Sequence, residues 1–273
     1  MKSELKKSIN IYLLIFLLCV GVLVVLSSMY ENLAPYMNVL SGNDVQAMTQ
    51  VDKDSLLNFA APHKNIYIAW LYGTRGYEII CVAIATCAYA FTYVIEKKSG
   101  MIKNILLRTK TKTYFIVKAT INFVIGGLIS SIPLVILFIV CIFSFSDKGV
   151  PSQEIAEIFP TNIMSEYFGT NSIIYVIFFV LVVFLIGGVY STMAMAIGAI
   201  TNNIIAAIIL PNLYWFFGSL LVVNIGIGVQ PWDIYYFNTA PEISFVLALL
   251  NTILVLGISL YIIYRDCKKQ KLL

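Results

Sequence analysis

Long apolar runs alternate with short polar segments along this chain, and the runs are apolar on every face rather than on one stripe. Six of them, at about 9–26, 77–95, 114–145, 173–200, 204–223 and 245–264, carry no charge or almost none. A helix at a protein surface keeps a polar face, whereas one that is hydrophobic all round is buried or sits in lipid. About 20 apolar residues cross the roughly 30 Å of bilayer hydrocarbon, so each run is predicted to be a transmembrane helix. The third is longer than one crossing and contains Pro133, which predicts tilt, a kink or extension beyond the bilayer. In the fourth, Gly187, Gly188, Ser191, Ala194 and Gly198 predict close helix contact.

Lys2, Lys6 and Lys7 precede the first run, as in a secretory signal, but its apolar core is long and Ser27-Ser28-Met29-Tyr30 makes a poor cleavage site. An uncleaved anchor is expected. The segment 28–76 contains Pro35, Ser41–Asp44 and the acidic stretch Asp52–Asp54, and is predicted to be an external loop with short helices. Pro151, Glu154, Glu157, Pro160 and Glu166 predict a second solvated loop. Before the last run, Gly226, Gly228, Pro231, Trp232, Tyr235, Tyr236 and Phe237 fit either a re-entrant hairpin or an interfacial aromatic belt.

Composition agrees with an all-α membrane protein. Of 273 residues, 60% are hydrophobic, 14% aromatic and 12% charged, and the mean hydropathy is +0.88. Soluble chains average roughly 45–50% apolar and about 25% charged residues, so disorder, a disulfide scaffold and an ordinary cytosolic enzyme are excluded. The net charge of +4 conceals a strong asymmetry. With six crossings, Lys2, Lys6, Lys7, Lys97, Lys98, Lys103, Arg108, Lys110, Lys112, Lys118, Arg265, Lys268, Lys269 and Lys271 share one side. That is 14 of 18 basic residues, while 11 of the 14 acidic ones face away. Positive loops stay inside, so both termini are predicted to be cytoplasmic.

Material for catalysis is scarce. His63 is the single histidine and is expected to be a solvated loop residue; no metal-ligand spacing occurs, and no Gly-Lys pair is present from which a Walker A loop could be built. Glu78 is expected to form an interfacial ion pair with Arg75. The spans offer no midplane charge and no lysine or histidine base, so the chain is not expected to be an enzyme.

The most specific stretch is the loop 96–113 between the second and third runs: Glu96-Lys97-Lys98-Ser99-Gly100-Met101-Ile102-Lys103-Asn104-Ile105-Leu106-Leu107-Arg108, with Tyr114 and Lys118 opening the next span. On a helix, Ile102, Ile105 and Leu106 share one face while Lys98, Lys103 and Arg108 reach solvent or lipid phosphates. A basic linker lying on the membrane surface fits this pattern, as does a docking helix for a partner. The stretch resembles the intracellular loop of type 2 ATP-binding-cassette export permeases. In that family a glutamate ends the second span, a glycine follows four residues later, and a short amphipathic coupling helix comes before basic residues. An aromatic residue and a lysine then open the third span. Glu96, Gly100, Ile102–Leu107, Arg108, Tyr114 and Lys118 occupy those places. Met101 departs from the usual small polar residue, and the proline often found after the leucines is missing.

The resemblance implies a six-span transmembrane subunit in the cell membrane, of bacterial inner-membrane type, that binds no cofactor itself. ATP and Mg would be held by a separate ATP-binding-cassette ATPase, and a second permease subunit, identical or not, would complete the pore. Nucleic acid is not an expected partner; membrane lipids are. Glu96, Lys97, Lys98, Gly100, Ile102, Ile105, Leu106 and Arg108 are the implied coupling residues, with the Ile102–Ile105–Leu106 face as the knob that enters the ATPase. Tyr89, Tyr93, Asn122, Asn212 and Tyr214 are the polar groups that could line a pathway, though bridges between helices are the simpler use of them. An apolar, aromatic interior without buried charge suits a hydrophobic or amphipathic cargo such as a peptide, an antimicrobial or a lipid-like molecule. Two other readings fit the same topology: an ATP-independent carrier or channel, and a membrane sensor or immunity protein.

Overall fold

In a medium without water, backbone polar groups must be satisfied within their own segment, which makes helix the natural conformation of long apolar runs. The computed structural model describes residues 11–42, 50–151, 164–223, 231–236 and 242–272, and these are helical almost throughout. The helices are α1 (Ile11–Leu40), α2 (Gln50–Ala60), α3 (Ile66–Thr74), α4 (Tyr77–Ala88), α5 (Phe91–Lys98) and α6 (Met101–Arg108). They continue with α7 (Thr111–Ser144), α8 (Ser165–Thr170), α9 (Ser172–Thr201), α10 (Ile204–Val223) and α11 (Glu242–Leu272). Short 3-10 turns occupy Ala61–Lys64 and Pro231–Ile234. Among the described residues no strand forms; a single isolated bridge joins Asn65 to Asp147.

Among the described residues, five stretches are long and apolar enough to cross a membrane: α1, the α4–α5 stretch, α7, α9 and most of α11. The 20-residue α10 covers the remaining expected run. Asn202, in the left-handed region, closes α9 by donating its N–H to the Gly198 carbonyl. The Asn203 side chain accepts from the Ile205 N–H at the start of α10, so this turn is as tight as its sequence implies.

Three features of the 28–76 segment depart from a solvated loop. First, α1 continues to Leu40 through Pro35, well past residue 26. Ser28 ties this continuation to the end of α3: its hydroxyl donates to the carbonyls of Tyr72 (3.0 Å) and Arg75. Second, α3 (IYIAWLYGT) is nearly all buried, with Ile68, Ala69 and Trp70 fully enclosed. Its Trp70 indole donates to the Leu134 carbonyl of α7 at 3.0 Å, and a Cβ on Gly73 would meet Leu137. Nine residues were too few to stand out as a span, yet they are uncharged throughout and therefore insert among the longer helices. Third, His63 is buried, not solvated. Its ring stacks on Tyr36 at 3.5 Å between centroids, and Nε2 lies 3.0 Å from the Tyr72 hydroxyl.

The expected Glu78–Arg75 pair does not form either. Glu78 accepts from the Tyr236 hydroxyl, and the Arg75 guanidinium lies over the Tyr72 ring at 4.9 Å. Tyr236 belongs to the aromatic connection before α11, whose described part packs into the bundle: Pro231, Ile234 and Tyr235 are buried, and the Tyr235 hydroxyl donates to the Thr74 carbonyl at 2.7 Å. The flanking residues 224–230 and 237–241, like Glu154, Glu157 and Pro160, lie outside the described residues.

The centre of the bundle is the contact between α7 and α9. A Cβ placed on Gly187 would lie 2.6 Å from the Gly126 carbonyl, and one on Gly126 would lie 2.9 Å from the Gly187 carbonyl. The two backbones therefore touch where glycine faces glycine, as the small-residue spacing predicts. A Cβ on Gly198 would lie 2.6 Å from a Val94 side-chain methyl, so α9 also packs closely against α5 there. Gly187→Leu is expected to destabilise the fold by about 1–3 kcal/mol through overpacking, read as a lower melting temperature in detergent, with Gly169→Leu as the control because open space surrounds Gly169.

Burial lowers the pKa of His63 below its ordinary value, outweighing the opposing pull of the Phe59 and Ala60 backbone. Above about pH 6.5 the ring is neutral whether its turn is closed or open, so the closed form keeps its full stability. As pH falls below that value the open form takes up a proton first, and the closed form loses ground. The protection of α2 and α3 amides, taken as the ratio of intrinsic to observed exchange rate at each pH, is expected to fall as pH drops from 7.5 to 5.5, and His63→Gln is expected to flatten that dependence. An unchanged slope in the variant would assign the effect to another group.

Candidate functional site

The loop singled out by the sequence folds into a compact elbow. After α5, Gly100 takes a φ of +74° and starts α6, a conformation that glycine enters without steric cost. The Gly100 N–H donates to the Lys97 carbonyl at 3.2 Å and the Ser99 N–H to Ile95 at 3.0 Å, so the end of α5 is closed before the chain turns. The eight-residue α6 has the amphipathic pattern its sequence predicts, but the face is used differently from the expectation. Ile102 and Leu106 are fully buried within this chain, in a cluster with Tyr93, Tyr114, Ala194, Ile263 and Cys267, and Ile105 is partly buried against it. What α6 leaves outside is Lys103, Asn104, Leu107 and Arg108, with Leu107 80% exposed. The apolar stripe anchors α6 to its own bundle because Tyr93 and Tyr114 on the adjoining helices offer a large apolar surface directly beneath it.

Under α6 lies a buried ion pair. Lys118, eight residues into α7, is 1% exposed, and its ammonium is 2.5 Å from Glu96 Oε1. The same ammonium donates to the Tyr89 hydroxyl at 3.0 Å and the Thr92 hydroxyl at 3.2 Å, and sits 4.6 Å from the centre of the Tyr89 ring. The other Glu96 oxygen accepts from the Tyr114 hydroxyl at 3.1 Å. All three ammonium protons and both carboxylate oxygens thus have partners, the condition under which a buried pair is tolerated. Tyr89 reaches this position because the helix is interrupted there, between α4 and α5, with φ −146° and ψ −20°. The expectation of spans free of lysine is corrected accordingly: Lys118 is not a solvated charge at a span mouth but the centre of a polar network inside the bundle.

A second network adjoins it. The Lys97 ammonium lies 2.8 Å from Asp266 of α11 and donates to the Ala199 carbonyl at the end of α9 at 2.6 Å. The Tyr93 hydroxyl donates to the other Asp266 oxygen at 2.8 Å. Consecutive residues therefore tie α5 to three partners: Glu96 to α7, and Lys97 to α9 and α11. Lys98 alone of the three stays exposed.

The polar residues expected to be able to line a pathway each bridge helices. Tyr89 and Tyr93 belong to the two networks just described. Asn122 on α7 accepts from the Ser191 hydroxyl on α9 at 3.0 Å, and Asn212 on α10 donates to the Thr86 hydroxyl on α4 at 3.2 Å. Tyr214 donates to Asn251 on α11 at 2.7 Å and borders a cavity of about 360 Å³ between α9, α10 and α11. Asp266 and Thr92 are the participants that the sequence reading passed over. Asp266 and its partner Tyr93 lie 173 positions apart, so no local pattern joins them. The available signal was an ionisable residue, Lys118, inside an otherwise apolar run. No protein-family model, curated protein or solved structure matches the chain.

Removing one member of a buried pair leaves the other charge uncompensated, at a cost of about 3–5 kcal/mol, whereas replacing both is far milder. Lys118→Met is expected to lower stability by that amount and Glu96→Gln/Lys118→Met to recover most of it. A double-mutant cycle on unfolding in nanodiscs measures the coupling; additive single effects would show that the two charges do not depend on each other.

Proposed function

We propose that this chain is the membrane-spanning permease subunit of an ATP-binding-cassette exporter, crossing the cell membrane six times with both termini in the cytoplasm. The observation that carries this reading is α6: a short helix started by Gly100, fixed at its base by Glu96 and Lys97, and presenting a basic outer face with Leu107 at its centre. A helix that transmits force from a partner must be unable to slide on its own bundle. The burial of Ile102 and Leu106 and the two ion-pair networks supply that rigidity. Lys103, Leu107 and Arg108 are then the groups that meet a cytoplasmic ATPase, which would bring ATP and Mg; a second permease subunit would complete the pore. Closure of the ATPase pair pushes α6, and through Glu96–Lys118 and Lys97–Asp266 the push reaches α7, α9 and α11 together. Apart from the Lys118–Glu96 and Lys97–Asp266 networks the spans are apolar and aromatic, which suits a hydrophobic or amphipathic cargo of peptide, antimicrobial or lipid-like character.

One observation favours a second reading, an ATP-independent carrier: the break at Tyr89 beside the buried Lys118 resembles the interrupted helices and ionisable groups of gradient-driven transporters. Affinity purification in mild detergent separates the two. A Walker-A-containing ATPase is expected to co-elute in stoichiometric amount with the wild-type chain. Leu107→Asp/Arg108→Glu, both on the exposed face, is expected to reduce that co-elution at least about tenfold, an interface loss of about 1.4 kcal/mol or more, without changing the melting temperature. Gradient-driven flux by the purified chain alone, with no ATPase bound, would replace the exporter reading with the carrier.

A further inference from the structure

We infer that one face of α11 is a binding site for a single anionic phospholipid, with its phosphate at the basic end of the bundle and an acyl chain lying along the helix. This rests on the chain being embedded in a membrane and not on the identity of any partner subunit.

Two cavities meet on this face. One, of about 610 Å³, lies between the ends of α9 and α11 and is rimmed by Lys97, Arg265, Lys268 and Lys269 over a floor that includes Ala199, Ile200 and Ile262. The other, of about 360 Å³, runs between Met193 and Tyr214 on one side and Leu254, Ile258 and Ile262 on the other. Ile262 borders both, so the two lie next to each other along α11. On α11 the sequence positions 251, 254, 258, 262, 265 and 269 recur at intervals of three or four and form a single stripe. The stripe is apolar from Leu254 to Ile262 and cationic from Arg265 to Lys269. At 1.5 Å per residue the apolar part is about 12 Å long, close to the roughly 15 Å hydrocarbon depth of one leaflet.

Charge decides the polar end of the occupant. The only acidic residue at the rim, Asp266, is already paired with Lys97 and accepts a hydrogen bond from the Tyr93 hydroxyl. Among the described residues Arg265, Lys268 and Lys269 have no ion-pair partner, and all three are exposed. A pocket with three uncompensated cations at the headgroup level calls for a phosphate. The walls decide the rest of the molecule. Leu254, Ile258, Tyr261 and Ile200 are each more than half exposed, so a free anion would leave this apolar surface uncovered, whereas an acyl chain attached to the phosphate covers it.

The test uses the full chain reconstituted in nanodiscs of phosphatidylcholine and phosphatidylglycerol at 3:1, extracted into detergent and examined by native mass spectrometry. Wild type is expected to retain one phosphatidylglycerol in preference to phosphatidylcholine. Arg265→Gln/Lys268→Gln/Lys269→Gln is expected to lose at least about tenfold of that retention, about 1.4 kcal/mol, with an unchanged melting temperature. Should the triple variant fold poorly, Lys268→Gln and Lys269→Gln singly must each show a partial loss. Ile258→Trp, which fills the apolar half, is expected to weaken lipid retention as well. Equal retention of both lipids by wild type, or undiminished phosphatidylglycerol in the charge variants, overturns the site. Displacement of the lipid by glycerol phosphate at equal concentration would make it a free-anion site instead. Efficient disulfide trapping of an Ile258→Cys pair between two copies in the membrane would assign the face to a second copy of the chain. Each of these outcomes is independent of whether an ATPase co-elutes.

Discussion

Lys118 carries a positive charge into an otherwise apolar helix, and the basic end of the bundle is organised around neutralising it. A lone ammonium in such surroundings would be severely destabilising. It is tolerated because three side chains contact it and a fourth completes the network: Glu96 and Thr92 of α5, Tyr89 at the break before α5, and, through Glu96, Tyr114 of α7. Such a network has one satisfactory geometry, so it fixes the rotation of α5 and α7 about their axes as well as their separation. Apolar packing alone specifies rotation weakly, since Leu, Ile and Val present similar surfaces in many orientations.

The elbow between α5 and α7 inherits its position from that pair. Glu96 and Tyr114 stand on either side of α6 in sequence, and their hydrogen bond closes the loop that contains it. Lys97 and Asp266 then join the elbow to α11 and to the end of α9. A displacement of α6 would break buried charge contacts before it stretched a flexible linker, and it therefore moves its neighbours with it. This is the physical content of coupling in the proposed transporter. At the other end of the bundle a different device serves the same purpose: α3 inserts between α1 and α7, and Ser28 and Trp70 donate to backbone carbonyls of neighbouring segments.

The polar side chains of the bundle are used mainly as ties. Asn122 with Ser191, Asn212 with Thr86 and Tyr214 with Asn251 each join two helices. These residues drew notice in the sequence because they interrupt apolar runs, but an interruption does not tell a bridge from a pathway lining. Only the partner atom does. The α9–α11 groove differs in that Arg265, Lys268 and Lys269 have no ion-pair partner among the described residues and its walls face outward.

Local pattern determined what lay within one segment. Uniform apolarity marked the long helices, glycine and serine spacing marked the contact face of α9, and the 102–105–106 interval with Gly100 before it marked α6 as an amphipathic helix begun by a turn. Each depends on residues a few positions apart, where helix geometry fixes the relation between sequence and face. Tertiary structure alone decided the rest, because it depends on residues far apart in the chain. The apolar face of α6 turned inward since Tyr93, Tyr114 and Cys267 happen to lie beneath it. Lys118 became a buried pair and not a surface charge since Glu96 is 22 positions away on a neighbouring helix. Nine apolar residues at 66–74 became core and not loop since α1 and α7 leave a gap that they fill. No periodicity records which distant group will neutralise a charge or cover an apolar stripe; that is settled by packing.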